Sequence, residues 1–270
     1  MSMSLKRSLY RKLPRPLKPI VERSYRQISA FSLVDEEALH AEFVDAVFAS
    51  RAEYERYVTE FERGSAASLR NEALDEYRRL TGEDAMGGVA LETARDYYAI
   101  TRELEPATVV ETGVCNGVST LAVLLALQAN GTGRLHSIDY PFRADESLEE
   151  FRQETFENYG GAAIPSDREP GWIIPTELRS RWELRIGKSQ RELPRLLVDI
   201  ESLDLFIHDS EHSHPCMMFE YELAYEWLRD SGLILSDDIT WNDAFGVFTE
   251  VRESEDGRLS KDVGYVRKPE

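Results

Sequence analysis

This chain predicts a doubly wound α/β fold, with a mostly parallel sheet and an N-terminal helical extension. Two observations carry that expectation. From Ala107 onward, short apolar runs alternate with segments of helical periodicity, the order expected of a parallel sheet covered on both faces. The stretch Val109-Val110-Glu111-Thr112-Gly113-Val114-Cys115-Asn116-Gly117-Val118-Ser119-Thr120, followed by the apolar run Leu121 to Leu127, reads as buried strand, glycine turn and helix start.

The expected strands are 107–111, 134–139, 182–186, 203–208 and 233–236, with helices at 119–129, 146–158, 189–200 and 215–230. The tail 246–270 adds a helix and a last strand at 263–266, a terminal hairpin that would close the sheet edge. Ahead of the sheet, residues 35–62 read as one long helix, with Leu39, Phe43, Val47, Tyr54, Val58 and Phe61 at helical spacing. A second helix covers 66–80 and stops at Thr81-Gly82, and a third runs from Leu91 to Leu104 before Pro106. The glycines at 87 and 88 break the chain between them, so the expected organisation is a tail at 1–30, a helical extension at 31–88 and the α/β domain at 89–270.

Charge is unevenly distributed. The net charge is −18, yet Lys6, Arg7, Arg11, Lys12, Arg15, Lys18, Arg23 and Arg26 crowd the first 26 residues against Glu22 alone. The strongly acidic remainder repels nucleic acid, which excludes DNA or RNA as the expected substrate. Carboxylate excess also suits solubility at high salt, consistent with a halophilic source. The basic N-terminus fits either peripheral contact with an anionic membrane or a tail lying on the acidic body. Pro14, Pro16 and Pro19 limit it to a short helix.

Cys115 and Cys216 cannot form a disulfide framework, and neither has a CxxC neighbour. No apolar run of about 18 residues appears, and the N-terminus lacks the apolar core of a secretory signal. The expected location is cytoplasmic.

The glycine turn brings backbone N–H groups and a helix N-terminus against a small polar ligand. Cys115 stands where a dinucleotide site needs its middle glycine, and Glu111 ends the strand. Both point to S-adenosylmethionine, whose ammonium group favours a nearby acidic oxygen, over a pyrophosphate that needs close backbone approach. An ordinary βα turn is the plainer alternative.

Each later strand also ends in polar residues. Asp139 ends the second, where a carboxylate can accept both ribose hydroxyls. Gly187-Lys188-Ser189 follows the third, either beside an adenine ring or as a helix N-cap at Ser189. Asp209 follows the fourth and Asp237-Asp238 the fifth. Three carboxylates on one edge would repel one another without a cation, and hard oxygen ligands favour Mg²⁺, Mn²⁺ or Ca²⁺. Asp237 or Asp238 capping the next turn is the simpler reading.

The elements Asp204-Leu205-Phe206-Ile207-His208-Asp209-Ser210-Glu211-His212-Ser213 and Gly232-Leu233-Ile234-Leu235-Ser236-Asp237-Asp238 resemble those of class I methyltransferases. More narrowly, they are similar to the metal-assisted O-methyltransferases of sugar and macrolide type, with a D-G-x-H-S/T-Y element and a G-G-x-x-x-x-D-D element. Motif I and Ser137-Ile138-Asp139 stand in the matching order, and the resemblance covers about 90–250. The chain departs from the pattern at Ser210, Ser231 and Lys188.

The resemblance implies a seven-stranded Rossmann-like sheet and S-adenosylmethionine at Glu111, Gly113, Ser119 and Asp139; Gly117 of motif I and, from the strand-end reading, Gly187 and Ser189 complete the expected cofactor site. It also implies a divalent cation, Mg²⁺ by preference, at Asp209, Asp237 and Asp238. The reaction is an in-line displacement in which the acceptor hydroxyl loses its proton. His212, one turn beyond Asp209, is the candidate general base, or else orients substrate or packs. Glu211 is the reserve base, and His208 and His214 are expected to be structural.

Three other classes stay in view. His208, Asp209, His212 and His214 have the residue types of a two-histidine, one-carboxylate iron site, though neighbouring strand residues point to opposite faces. A methyltransferase-like fold kept as a binding module, anchored by the basic N-terminus, would bind cofactor without turnover. A nicotinamide oxidoreductase would need the glycines that Cys115 and Val118 replace.

Family analogy favours a sugar hydroxyl on a glycan or glycosylated small molecule as the acceptor, and a homodimer as the default assembly. The loops Tyr140 to Asp145 and Gly160 to Thr176 are expected to shape the acceptor pocket, the second long enough to be a lid. Trp172 and Trp241 could stack on a sugar ring or simply pack. Tyr97 and Tyr98 precede the first strand on a helix able to line the cofactor site.

Overall fold

Seven strands lie in one sheet in the order β3-β2-β1-β4-β5-β7-β6, where β1 is Thr108–Thr112, β2 Arg134–Asp139, β3 Trp182–Ile186, β4 Leu203–His208, β5 Leu228–Ser236, β6 Glu255–Arg258 and β7 Gly264–Arg267. The structure is a computed structural model and describes residues 35–81, 89–147, 149, 151, 163–252 and 254–270. The basic tail at 1–30, the glycines at 87 and 88, most of the expected helix at 146–158 and the start of the loop from Gly160 lie outside the described residues. Two compact units divide the chain, Met1–Ala38 and Leu39–Glu270. Of the first, only the residues opening the first helix are described; the second carries everything below.

Pairing is parallel from β3 through β2, β1 and β4 to β5. It turns antiparallel at β5–β7 and β7–β6, so the expected terminal hairpin does close that side of the sheet. The helices are α1 (Glu36–Val47), α2 (Arg51–Arg63), α3 (Ser65–Thr81), α4 (Leu91–Leu104), α5 (Val118–Asn130), α6 (Ser189–Ile200), α7 (His214–Trp227) and α8 (Ala244–Arg252). A 3-10 turn at Thr176–Arg181 leads into β3. Among the described residues no helix is long and apolar enough to cross a membrane.

The central strands β1 and β4 are buried along nearly their whole length because both faces are covered. Successive side chains point to opposite faces, so Val109, Leu205, Ile207, Leu233 and Leu235 join the cluster with α2–α5. Val110, Phe206 and Ile234 join the cluster with α6–α8. The helices before β1 share one hydrophobic cluster with the sheet: Phe61, Tyr77 and Tyr97 pack in the same group as Val109 and Leu121.

Two element boundaries differ from expectation. The single helix expected over 35–62 is two, because Ser50 is extended (φ −162°, ψ 158°) and its hydroxyl accepts the Glu53 N–H at 3.2 Å, capping α2. Apolar spacing continues across the break, which hid it. The helix expected over 215–230 ends at Trp227, and the chain enters β5 at once. Leu228 pairs with Leu203 and Leu233 with Leu205, so the intervening residues bulge. Ser231 takes φ 62° there, and Lys268 Nζ caps α7 and its exit through the carbonyls of Tyr225 at 3.0 Å and Leu228 at 2.7 Å.

Candidate active site

One row of backbone bonds lines up the predicted residues along the carboxyl edge of the sheet. Gly187 N–H donates to Asp139 O, Gly113 N–H to Ile138 O, Asp209 N–H to Thr112 O and Asp237 N–H to His208 O, at 2.8–2.9 Å. The residue after each strand thus extends the ladder by one rung, in the order Gly187, Asp139, Gly113, Asp209, Asp237. The strand order reverses between β1 and β4, and at such a switch point open α/β sheets bind ligands.

Gly113 is at φ 87°, and a Cβ there would collide with the Asp209 backbone carbonyl, so only glycine fits. The turn continues through Cys115 at φ 48° to Gly117 at φ 102°, where α5 begins. Asp139 holds it from below: its Oδ2 accepts Val114 N–H at 2.8 Å and Cys115 N–H at 2.7 Å. Burial raises the Asp139 pKa, and the bonds from Cys115 and Val114 pull it back.

Glu111 lies inside the protein, at 0% exposure. Its carboxylate accepts Ser119 Oγ at 2.6 Å, Thr120 Oγ1 at 2.8 Å and Ser137 Oγ at 2.8 Å. Burial raises its pKa to about 7 against the pull of those three hydroxyls. Glu111 and Ser119 are therefore bonded to each other, stapling β1 to β2 and to the start of α5. Ser189 is the first residue of α6 and Lys188 its N-cap, so Ser189 is not the cap; its hydroxyl turns inward, 3.7 Å from Cys216 Sγ.

Asp209, Asp237 and Asp238 form an acidic group with no lysine or arginine paired to it among the described residues. Burial, then the Asp237 charge, raises the Asp209 pKa well above the usual carboxylate range. Burial and Asp238 raise Asp237 to about 6. His212 Nε2 lies 3.7 Å from Asp209 Oδ1 and 3.5 Å from Asp238 Oδ2, while its Nδ1 is buried without a partner. Burial, then His208, lowers the His212 pKa to about 3, so it is neutral at physiological pH. Beside it stands Trp241, 44% exposed, with its ring centroid 5.9 Å from the imidazole.

The donor types and the uncompensated charge suit a hard cation. As placed, however, no three His, Cys, Asp or Glu side chains among the described residues converge on an ion position, and Asp237 Oδ1 is turned onto the Asp238 N–H at 2.9 Å. The iron-type grouping is likewise not formed. His208 faces α7, with Nδ1 2.6 Å from Glu220 Oε2, and His214 pairs at the surface with Asp243 at 3.5 Å. Glu211 accepts Ser213 Oγ at 2.7 Å near the start of α7.

Two residues that matter make contacts missed from sequence. Glu220 binds Thr112, His208 and Ser210 together; its one sequence signal is an acid at helical spacing with Met217, Tyr221 and Ala224 on the apolar face of α7. Trp172 packs, the simpler of its two expected readings, but with a bond the sequence did not suggest: its indole N–H donates to Asn116 Oδ1 at 2.7 Å, and its ring stacks on Tyr77.

Residues 110–239 match the family model described as "Methyltransferase domain". No curated protein matches the chain by sequence. Among solved structures, the SAH-bound methyltransferase PaMTH1 of Podospora anserina is 17% identical with TM-score 0.51, covering 82% of this chain and 97% of that one. The O-methyltransferase from Bacillus cereus in complex with SAH is 15% identical with TM-score 0.50, covering 83% and 100%. At such identities these two likenesses speak for the fold.

Proposed function

We propose that this chain is an S-adenosylmethionine-dependent O-methyltransferase acting on a hydroxyl of a sugar or glycosylated small molecule, assisted by a divalent cation, a reading supported by the match of residues 110–239 to the methyltransferase-domain family model. The observation that carries this reading is the carboxyl-edge row itself. Asp139 and the Gly113 turn lie next to Asp209, Asp237 and His212, so a cofactor subsite adjoins an acidic one.

The cofactor supplies an electrophilic methyl group. Asp139 Oδ2 is committed to the turn, which leaves Oδ1 for the ribose hydroxyls. Gly113, Gly117 and Gly187 let backbone approach the ligand, and Ser119 and Glu111 hold the turn behind it. His212 is neutral and presents Nε2 beside Asp209 and Asp238 as the acceptor of the hydroxyl's proton. Asp209, Asp237 and Asp238 are the residues that would hold the cation, which would supply Lewis acidity toward the acceptor hydroxyl. Trp241 offers an exposed ring beside His212 for a sugar face. We further propose cytoplasmic residence with the basic N-terminus touching anionic membrane, which co-sedimentation of the full chain with anionic but not neutral vesicles would check.

The test is transfer of labelled methyl from S-adenosylmethionine to a panel of simple glycosides, with Mg²⁺ and with EDTA. Label in a glycoside methyl ether, lost in EDTA, supports the whole reading. Transfer unaffected by EDTA removes the cation, and transfer only to non-sugar hydroxyls removes the sugar.

A further inference from the structure

Cys115 carries a side chain in the left-handed region, at φ 48°. Such a residue persists only where its surroundings over-determine it. Asp139 supplies one restraint, through the Cys115 N–H. The others come from the β2–β3 connection. Gly171 N–H donates to Cys115 O at 2.9 Å, and a Cβ built on Gly117 would lie 2.8 Å from Gly171 Cα. The next residue, Trp172, donates its indole N–H to Asn116 Oδ1 at 2.7 Å. Its ring stacks on Tyr77 of α3, centroids 5.9 Å apart and planes 19° from parallel. Ile173 and Ile174 are buried behind it, and Gly171 abuts the Trp182 ring, leaving no room for a side chain.

We propose that Trp172 is a positioning residue for the cofactor turn: its N–H fixes Asn116 and holds Cys115–Gly117 in ligand-ready form, while its stacking on Tyr77 ties that turn to the helices preceding the sheet. The proposal rests on the S-adenosylmethionine reading above. It makes cofactor affinity depend on a side chain of the β2–β3 connection that reaches the turn through Asn116.

Trp172→Phe keeps an aromatic ring for Tyr77 and deletes the N–H. Calorimetry on folded protein is expected to show affinity for both S-adenosylmethionine and S-adenosylhomocysteine falling about fivefold to tenfold, the worth of one hydrogen bond. Asn116→Ala, which leaves the indole in place, should lose as much, and the double variant no more than either single one. Lys268→Met, which uncaps α7 at a distance from the turn, should lower Tm and leave both affinities within twofold. That control separates positioning from loss of stability. Should Trp172→Phe fail to fold, Asn116→Ala alone carries the same expected loss. Affinities within twofold of wild type in the foldable variants, or additive losses in the double variant, would overturn the proposal and leave the functional reading standing. A wild-type chain that binds neither ligand would remove both.

Discussion

Asp139 Oδ2 sits 2.7 Å from the Cys115 amide nitrogen, joining the end of β2 to the one non-glycine residue of the motif I turn in left-handed geometry. The carboxylate expected to grip a ribose is thus also a structural member of the turn. One oxygen, Oδ2, shapes the loop by accepting both the Val114 and the Cys115 N–H.

Gly113→Ala should destabilise the protein by more than about 2 kcal/mol, combining a left-handed penalty with a backbone collision. The added Cβ would strike the Asp209 carbonyl, so β1 and β4 must part at the switch point. Urea unfolding measures the loss, and a variant as stable as wild type would contradict the placement.

Glu111 makes stability fall as pH rises. Its folded pKa is about 7 against an ordinary 4.5, so between those values the unfolded chain releases a proton that the folded one keeps. Stability should decline by up to about 3 kcal/mol across that window and flatten above it. Glu111→Gln removes this component, so the difference between variant and wild type, followed by denaturation from pH 4 to 8, should change by that amount.

Glu220 should act with the opposite sign. Burial works against its charge, but His208 and the bonds from Ser189 and Thr112 outweigh it and hold the pKa at about 2. Its contribution is complete above pH 4.5 and is lost as pH falls toward 2. Glu220→Gln should therefore cost about 3 kcal/mol at neutral pH, with the gap to wild type closing in acid.

His212→Asn should lower kcat about 10²-fold to 10⁴-fold and leave S-adenosylmethionine affinity within twofold. The imidazole lies beside Asp209 and Asp238, on the acidic side of the row. A loss confined to cofactor binding would reassign it.

Much of the fold was readable because it is local. Apolar runs of strand length, glycine turns and the polar residues closing each strand fix five parallel strands and their carboxyl edge without knowledge of packing. The break between α1 and α2 was written in Ser50-Arg51-Ala52-Glu53, a capping pattern, but apolar periodicity spoke louder. The bulge after Leu228 depends on Lys268, 40 residues away, and no window around Trp227 contains it. The site divides in the same way. Asp139, Asp209 and Asp237 follow from strand ends, whereas the tasks of Trp172 and Glu220 arise only when distant elements meet. Ser119 and Glu111 have the expected positions, yet they are bonded to one another, a pairing set by the start of α5 folding back on β1.

Calorimetric titration of the full chain with S-adenosylmethionine, beside its Asp139→Ala variant, decides whether the carboxyl edge is a cofactor site. Micromolar binding by the wild type, abolished in the variant, is the expected result. No binding by demonstrably folded wild-type protein, with or without Mg²⁺, would contradict the account.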